Sequence, residues 1–151
     1  MPQSLSRILI HTIFSTKNRE NSFTDSAFRS EMHAYVGGVA KTLACFPIQI
    51  GGTADHIHIL STLDRSICVA DFVKETKRVS TDWIQKQNRG LAQFHWQAGY
   101  GVFSVSESNC EVVTKYIQNQ EEHHRKTTFQ DEYRIFCEKH AVKVDERYVW
   151  D

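Results

Sequence analysis

Two histidines one residue apart, His56 and His58, interrupt the apolar run TADHIHILSTL at residues 53–63. Imidazole nitrogen is a ligand for zinc, manganese, cobalt and nickel. On a strand the side chains alternate faces, so both imidazoles point one way and Ile57 and Ile59 the other, with the histidine Cα atoms about 6.5–7 Å apart. Both rings can then lean onto one ion. Two ligands alone hold a metal poorly, and such a pair is more commonly solvated or hydrogen-bonded. A second candidate lies in VVTKYIQNQEEHH, where Tyr116 and Gln120 stand four apart and share a helical face. An activated tyrosine hydroxyl attacks phosphorus or carbonyl carbon. Its ordinary pKa near 10 asks for a metal or a cation nearby. Gln120 offers a neutral oxygen one turn away, and Val112, Val113 and Ile117 read as the packing side. The plain alternative is a core-edge tyrosine beside a solvated glutamine, and spacing does not exclude it.

The elements that must position these groups follow from periodicity. RILIHTIFST, residues 7–16, is rich in Ile, Thr and Phe and reads as a strand. Thr24 can cap a helix over residues 25–43, whose apolar positions Phe28, Met32, Tyr35, Val36, Val39 and Leu43 recur at helical spacing. FPIQIGG and HIHILSTL are two more strands, joined as a hairpin near residues 53–55. A second helical stripe runs from Ser66 to Arg89 and buries Phe72, Val73, Trp83 and Ile84. FHWQAGYGVFSVS ends in a fourth strand. A third helix, capped by Ser106 or Ser108, carries Tyr116 through His124, and TFQDEYRIFCEKHA is a short fourth helix before a terminal tail. The order strand, helix, strand, strand, helix, strand predicts an α+β, ferredoxin-like split βαβ fold: a four-stranded antiparallel sheet with two helices on one face, followed by C-terminal helices. The isoleucines belong to the helix-covered face and the histidines to the open one. Trp96 and Tyr100 either line the site or belong to the core.

The chain of 151 residues reads as one domain, residues 1–151, with room for a sizeable core. No apolar run is long enough for a transmembrane helix, and the N-terminal residues do not read as a signal peptide. Cys45, Cys68, Cys110 and Cys137 are widely spaced with no CxxC pair, which predicts free thiols in a reducing cytosol. Lys plus Arg and Asp plus Glu each number 18, so bulk attraction to nucleic acid is weak. A local basic stretch, Lys74, Lys77, Arg78, Lys86 and Arg89, stands against Glu75 and Asp82. It is either a phosphate-binding patch or an ordinary solvated helix face.

Taken together, DHIHILSTL, FHWQAGYGVFSVSES, VTKYIQNQEEHHRKTTFQDEY and the closing VDERYVWD resemble the single-tyrosine HUH transposases of small insertion sequences and their relatives associated with repetitive palindromes. The resemblance spans nearly the whole chain. It implies that His56, His58 and Gln120 hold a divalent metal, Mg²⁺ or Mn²⁺, and that Tyr116 is the nucleophile. The implied activity is cleavage and rejoining of single-stranded DNA beside a hairpin, through a 5′-phosphotyrosine bond. It further implies a homodimer, in which Tyr116 serves either its own chain's site or the partner's, working in the cytoplasm on DNA. Lys74, Lys77, Arg78, Lys86, Arg89 and Arg125 are the expected phosphate contacts, although Arg125 could instead pair with Glu121. Glu121, His123 and His124 read as solvated or structural. Two other readings stand beside this one: a palindrome-binding protein without catalysis, and a metal hydrolase with a water nucleophile.

Overall fold

A computed structural model describes residues 2–151. Four strands, β1 (Leu9–Ser15), β2 (Pro47–Gly52), β3 (His56–Thr62) and β4 (Gly101–Val105), form one antiparallel sheet in the order β2-β3-β1-β4. That order and the intervening helices α1 (Ser26–Thr42) and α2 (Val69–Gln85) are those of the ferredoxin-like split βαβ unit. Asp25, rather than Thr24, begins α1: its carboxylate accepts from the backbone N–H groups of Ala27 and Phe28 at 2.9 and 3.2 Å. Cys68 does the same for α2, its sulfur accepting from the Asp71 N–H.

Strand alternation divides the molecule into two cores. Ile10 and Phe14 of β1 and Ile57 and Ile59 of β3 face α1 and α2, where they meet Phe28, Met32, Val36, Phe72, Val73 and Ile84. Trp83 stacks on both Phe28 and Tyr35, locking α1 to α2. Trp96 belongs to this core and donates from its indole to Ser80 Oγ at 3.0 Å, so it does not line the histidine face, while Tyr100 stays partly exposed.

The opposite face, expected to be open, is covered by the chain's own C-terminal helices. The expected helix over residues 106–124 is three pieces: a single 3-10 turn (Glu107–Asn109), α3 (Cys110–Gln118) and α4 (Gln120–His123). Neither Ser106 nor Ser108 caps it, because their hydroxyls bond to each other instead. Asn119 leaves helical geometry at φ −101°, ψ 23°, and separates Tyr116 on α3 from Gln120 on α4. Ile117 is the buried residue of α3, whereas Val112 is exposed. Helix α5 (Phe129–Lys139), capped by Thr128, packs Phe129, Tyr133 and Cys137 onto Ile13 and Phe103. The tail then folds back, placing Val149 and Trp150 against the same cluster. All four cysteines are free. Among the described residues, no helix is long and apolar enough to cross a membrane.

Candidate metal centre and nucleophile

β3 delivers the histidines as alternation predicts. His56 and His58 share a face with Leu60 of β3 and with His11 and Ile13 of β1, and both imidazoles are fully buried. Each ring is oriented by a further side chain, as metal-ligating histidines usually are. His56 Nδ1 lies 2.7 Å from Asp55 Oδ1 and 3.1 Å from Thr53 Oγ1, so the turn between β2 and β3 holds the ring by its far nitrogen. His58 Nδ1 lies 2.8 Å from Nε2 of the buried His11. Burial holds His58 down to about 4 and His11 well below the ordinary histidine range, so both are neutral at physiological pH.

The C-terminal helices bring the remaining groups. Tyr116 is half-buried. Its ring sits over His123 and 6.0 Å, centre to centre, from that of His58, and its hydroxyl donates to Glu132 Oε2. Gln120 is buried; its amide donates to Glu132 Oε2 at 3.0 Å, which turns its carbonyl oxygen toward His56 Nε2 at 2.9 Å. The other carboxylate oxygen of Glu132 lies 2.9 Å from His58 Nε2, 3.2 Å from His124 Nε2 and 3.7 Å from His56 Nε2. Burial opposes the charge on Glu132, but the surrounding imidazoles of His124, His58 and His56 outweigh it and hold the carboxyl well below its ordinary range. Burial, reinforced by that carboxylate, pushes the Tyr116 phenol above its ordinary value. Tyr116 therefore rests as a neutral phenol.

The donor set suits a cation. Asp55 is ionised, because hydrogen bonding to His56 offsets the effect of its burial, and a carboxylate can only accept. The Nδ1 of His56 that faces it therefore donates, and Nε2 on the other side of the ring lies 2.9 Å from the carbonyl oxygen of Gln120. His124 Nε2 is buried without a hydrogen-bond partner, since its approach to Glu132 is misaligned. Donor atoms of His56, His58, His124 and Glu132 all lie within 4.8 Å of one another. Imidazole nitrogen with carboxylate oxygen is the donor chemistry of zinc, manganese and cobalt sites.

Sequence reasoning singled out His56, His58, Tyr116 and Gln120, and the structure brings all four together within one chain. It missed Asp55, His11 and Glu132, and it read His124 as structural. Glu132 left a trace: it sits among Phe129, Tyr133, Phe136 and Cys137 at core-facing spacing on α5, and an acid there is rarely buried without a partner. The basic candidates lie elsewhere. Lys74, Lys77, Arg78 and Lys86 follow α2 and its C-terminal end, and Arg89 follows soon after, on the side of the sheet away from Tyr116. Arg78 pairs with Glu75, Lys86 with Asp82 and Arg89 with Asp25, while Lys74 is exposed. Lys77 is committed internally: its ammonium donates to the carbonyls of Gln97, Ala98 and Gly99 at 2.7–3.2 Å. Arg125 pairs with Glu122, and Glu121 with Arg29.

The fold is thus a ferredoxin-like sheet whose central strand β3 presents two histidines to a tyrosine on the helix after β4. The chain belongs to the IS200-like transposase family: the family model described as "Transposase IS200 like" matches residues 4–120, which include His56, His58, Tyr116 and Gln120 but neither His124 nor Glu132. Among solved structures, a "putative transposase" from Deinococcus radiodurans R1 is 22% identical with TM-score 0.64, covering 80% of this chain and 95% of that one. A REP-associated tyrosine transposase bound to a REP hairpin is 14% identical with TM-score 0.58, covering 82% of this chain and 74% of that one. A search of the curated proteins returns no match.

Proposed function

We propose that this chain cleaves and rejoins single-stranded DNA beside a hairpin, using Tyr116 as nucleophile and a divalent metal at the histidine pair. The observation that carries this reading is the placement of one carboxylate, Glu132, with one oxygen against the Tyr116 hydroxyl and the other among the imidazoles of His56, His58 and His124. His56 and His58 would hold the divalent ion, with the carbonyl oxygen of Gln120 beside them. When bound, the ion supplies Lewis-acid polarisation of the scissile phosphate.

Tyr116 then attacks phosphorus. The Tyr116 oxygen–phosphorus bond forms as the bond from phosphorus to the 3′ oxygen breaks. The phenolic proton departs along the hydrogen bond toward Glu132, and the 3′ oxygen leaves as a hydroxyl with a proton from water. The phosphotyrosine bond retains the diester's free energy, so a later 3′-hydroxyl can reverse the step on another strand without ATP. Access favours an unpaired strand. A cavity of about 400 Å³ opens beside Tyr116 between α3, β4 and α5, walled by Phe103, Val113, His123, Phe136 and His140. Aromatic walls of this kind stack on bases. The hairpin of the REP-bound relative suggests the same substrate here. Lys74, Arg78, Lys86 and Arg89 would meet the hairpin's phosphates, and Arg125 the entering strand. Tyr116 lies beside its own chain's histidines, so this reading needs no partner's tyrosine. A homodimer with exchange of Tyr116 is an elaboration that gel filtration and mixed-variant complementation would reveal.

The test is covalent. The chain is incubated with labelled single-stranded DNA carrying candidate hairpins, with and without Mn²⁺, and boiled in detergent. A surviving adduct that disappears in Tyr116→Phe, with DNA binding retained, is the expected result. Metal-dependent cleavage that persists in Tyr116→Phe refutes it in favour of water attack. Binding without cleavage on the cognate ends makes the chain a palindrome-binding protein.

A further inference from the structure

We infer that the metal's ligand set in this chain is His56, His58, His124 and Glu132, a three-imidazole, one-carboxylate centre that takes Mn²⁺, Co²⁺ or Zn²⁺ in preference to Mg²⁺, with Gln120 at its edge. The inference rests on the metal-dependent reading above and changes the ion's chemistry. Two histidines and a glutamine would leave the full divalent charge to the substrate. A carboxylate ligand takes up part of it and binds the ion more tightly.

Donor spacing is the first ground. Ligand atoms about 2.1 Å from one ion stand about 3.0 Å apart at neighbouring octahedral positions and about 3.4 Å apart in a tetrahedron. The separations from Glu132 Oε1 to the three imidazole nitrogens, 2.9, 3.2 and 3.7 Å, bracket those values. His124 is the second ground. Its Nε2 is buried and faces the cluster with no hydrogen bond. An orphaned buried polar atom is costly, and a metal bond would satisfy it. Third, each of the two strand histidines is held through Nδ1, by Asp55 or by His11, which turns both Nε2 atoms into the cluster: that of His58 against Glu132 Oε1 at 2.9 Å, that of His56 between the Gln120 carbonyl oxygen at 2.9 Å and Glu132 Oε1 at 3.7 Å. Fourth, the second carboxylate oxygen, Glu132 Oε2, accepts from both the Gln120 amide and the Tyr116 hydroxyl. One carboxylate thus spans the ion and the nucleophile, and Glu132 sets the distance between them. Three imidazoles favour the later transition metals, whereas Mg²⁺ prefers oxygen and retains its water. His124 and Glu132 lie beyond the stretch matched by the family model, so the centre is assembled partly by residues outside it.

The experiment reads metal directly. Chelator-treated full-length protein is titrated with Co²⁺ and followed by its visible bands. A Cu²⁺-loaded sample is examined by pulsed electron paramagnetic resonance to count coordinated imidazoles. Three imidazoles in the wild type and two in His124→Ala are expected. Co²⁺ affinity should fall at least about tenfold in Glu132→Gln and in His124→Ala, a loss of the size that even outer ligand partners produce. Circular dichroism checks that each variant folds, and the wild-type imidazole count needs no variant. Two imidazoles in the wild type, or Co²⁺ affinity untouched by Glu132→Gln while His58→Ala abolishes binding, overturns the inference and leaves the strand-transfer reading intact. A wild-type chain that binds neither Co²⁺ nor Mn²⁺ overturns both.

Discussion

Alanine at Gly51 tests how closely α3 must sit over the histidines. Gly51 lies opposite His58 across β2 and β3. A Cβ on it would stand 2.5 Å from the carbonyl oxygen of Ile117 and 2.8 Å from its Cγ2. The first obstacle is backbone and cannot rotate aside. Ordinary contact begins near 3.4 Å, so the difference from 2.5 Å obliges α3 to withdraw by about 0.9 Å unless the strand bends. Tyr116 is the residue before Ile117, and its hydroxyl travels with the helix. Misplacing a reacting group by about 1 Å costs on the order of 100-fold in rate, or about 2.7 kcal/mol of barrier. Overpacking of this kind costs about 1–3 kcal/mol of stability, and in a chain of this size each kcal/mol lowers Tm by about 2–4 °C. The assay is the single-turnover rate of adduct formation on hairpin-bearing single-stranded DNA, with a thermal melt on the same preparation. A Gly51→Ala chain that melts with the wild type and forms adduct within threefold of its rate would refute the reasoning, because α3 would then have room to spare.

Three further outcomes follow from other parts of the molecule. His33 lies in the groove between α1, β2 and α3 with Nε2 unpartnered, and burial, aided by the charge of Arg29, holds it down to about 4. Its folded value lies below the ordinary 6.5, so its contribution is complete above pH 6.5 and is lost as pH falls toward 4, up to about 3 kcal/mol. His33→Leu should flatten that part of the urea-midpoint profile, and an unchanged profile would clear His33 of the effect. Ala44, exposed just past α1, adopts φ 57°, a conformation that glycine takes freely. Ala44→Gly should raise stability by about 0.5–1 kcal/mol in a melt without altering adduct formation. Lys77→Met strips three backbone carbonyls of their shared donor, which should cost about 1–3 kcal/mol. It should leave the salt dependence of DNA binding unchanged, and a shallower salt slope would make Lys77 a phosphate contact after all.

The sheet and its two packing helices were legible because each element carries a complete local signal. His56 and His58 stood out because two polar rings in an apolar strand must share a face. Tyr116 and Gln120 stood out by helical spacing, although the break at Asn119 puts them on separate helices. What escaped was the covering of the histidine face. Periodicity shows that α5 has an apolar side but not which surface that side meets. Glu132 therefore had no visible partner until the chain folded back over β3. The basic stretch was legible with its partners: Arg78 and Lys86 pair with Glu75 and Asp82, acids three or four residues away on the same helix.

Strands β1 and β3 each carry core residues on one face and site residues on the other, within seven positions. Gain or loss of one residue inside either strand would exchange the faces. Ile57 and Ile59 would turn toward Tyr116, and His56 and His58 would be driven among Met32, Val36 and Phe72. Replacement can be sampled one position at a time, whereas a change of length is never a small step. In genealogical terms the two strands are inherited as blocks of fixed length. Descendants of this chain should diverge there by substitution alone, while insertions and deletions collect in exposed connections such as the one from β3 to α2.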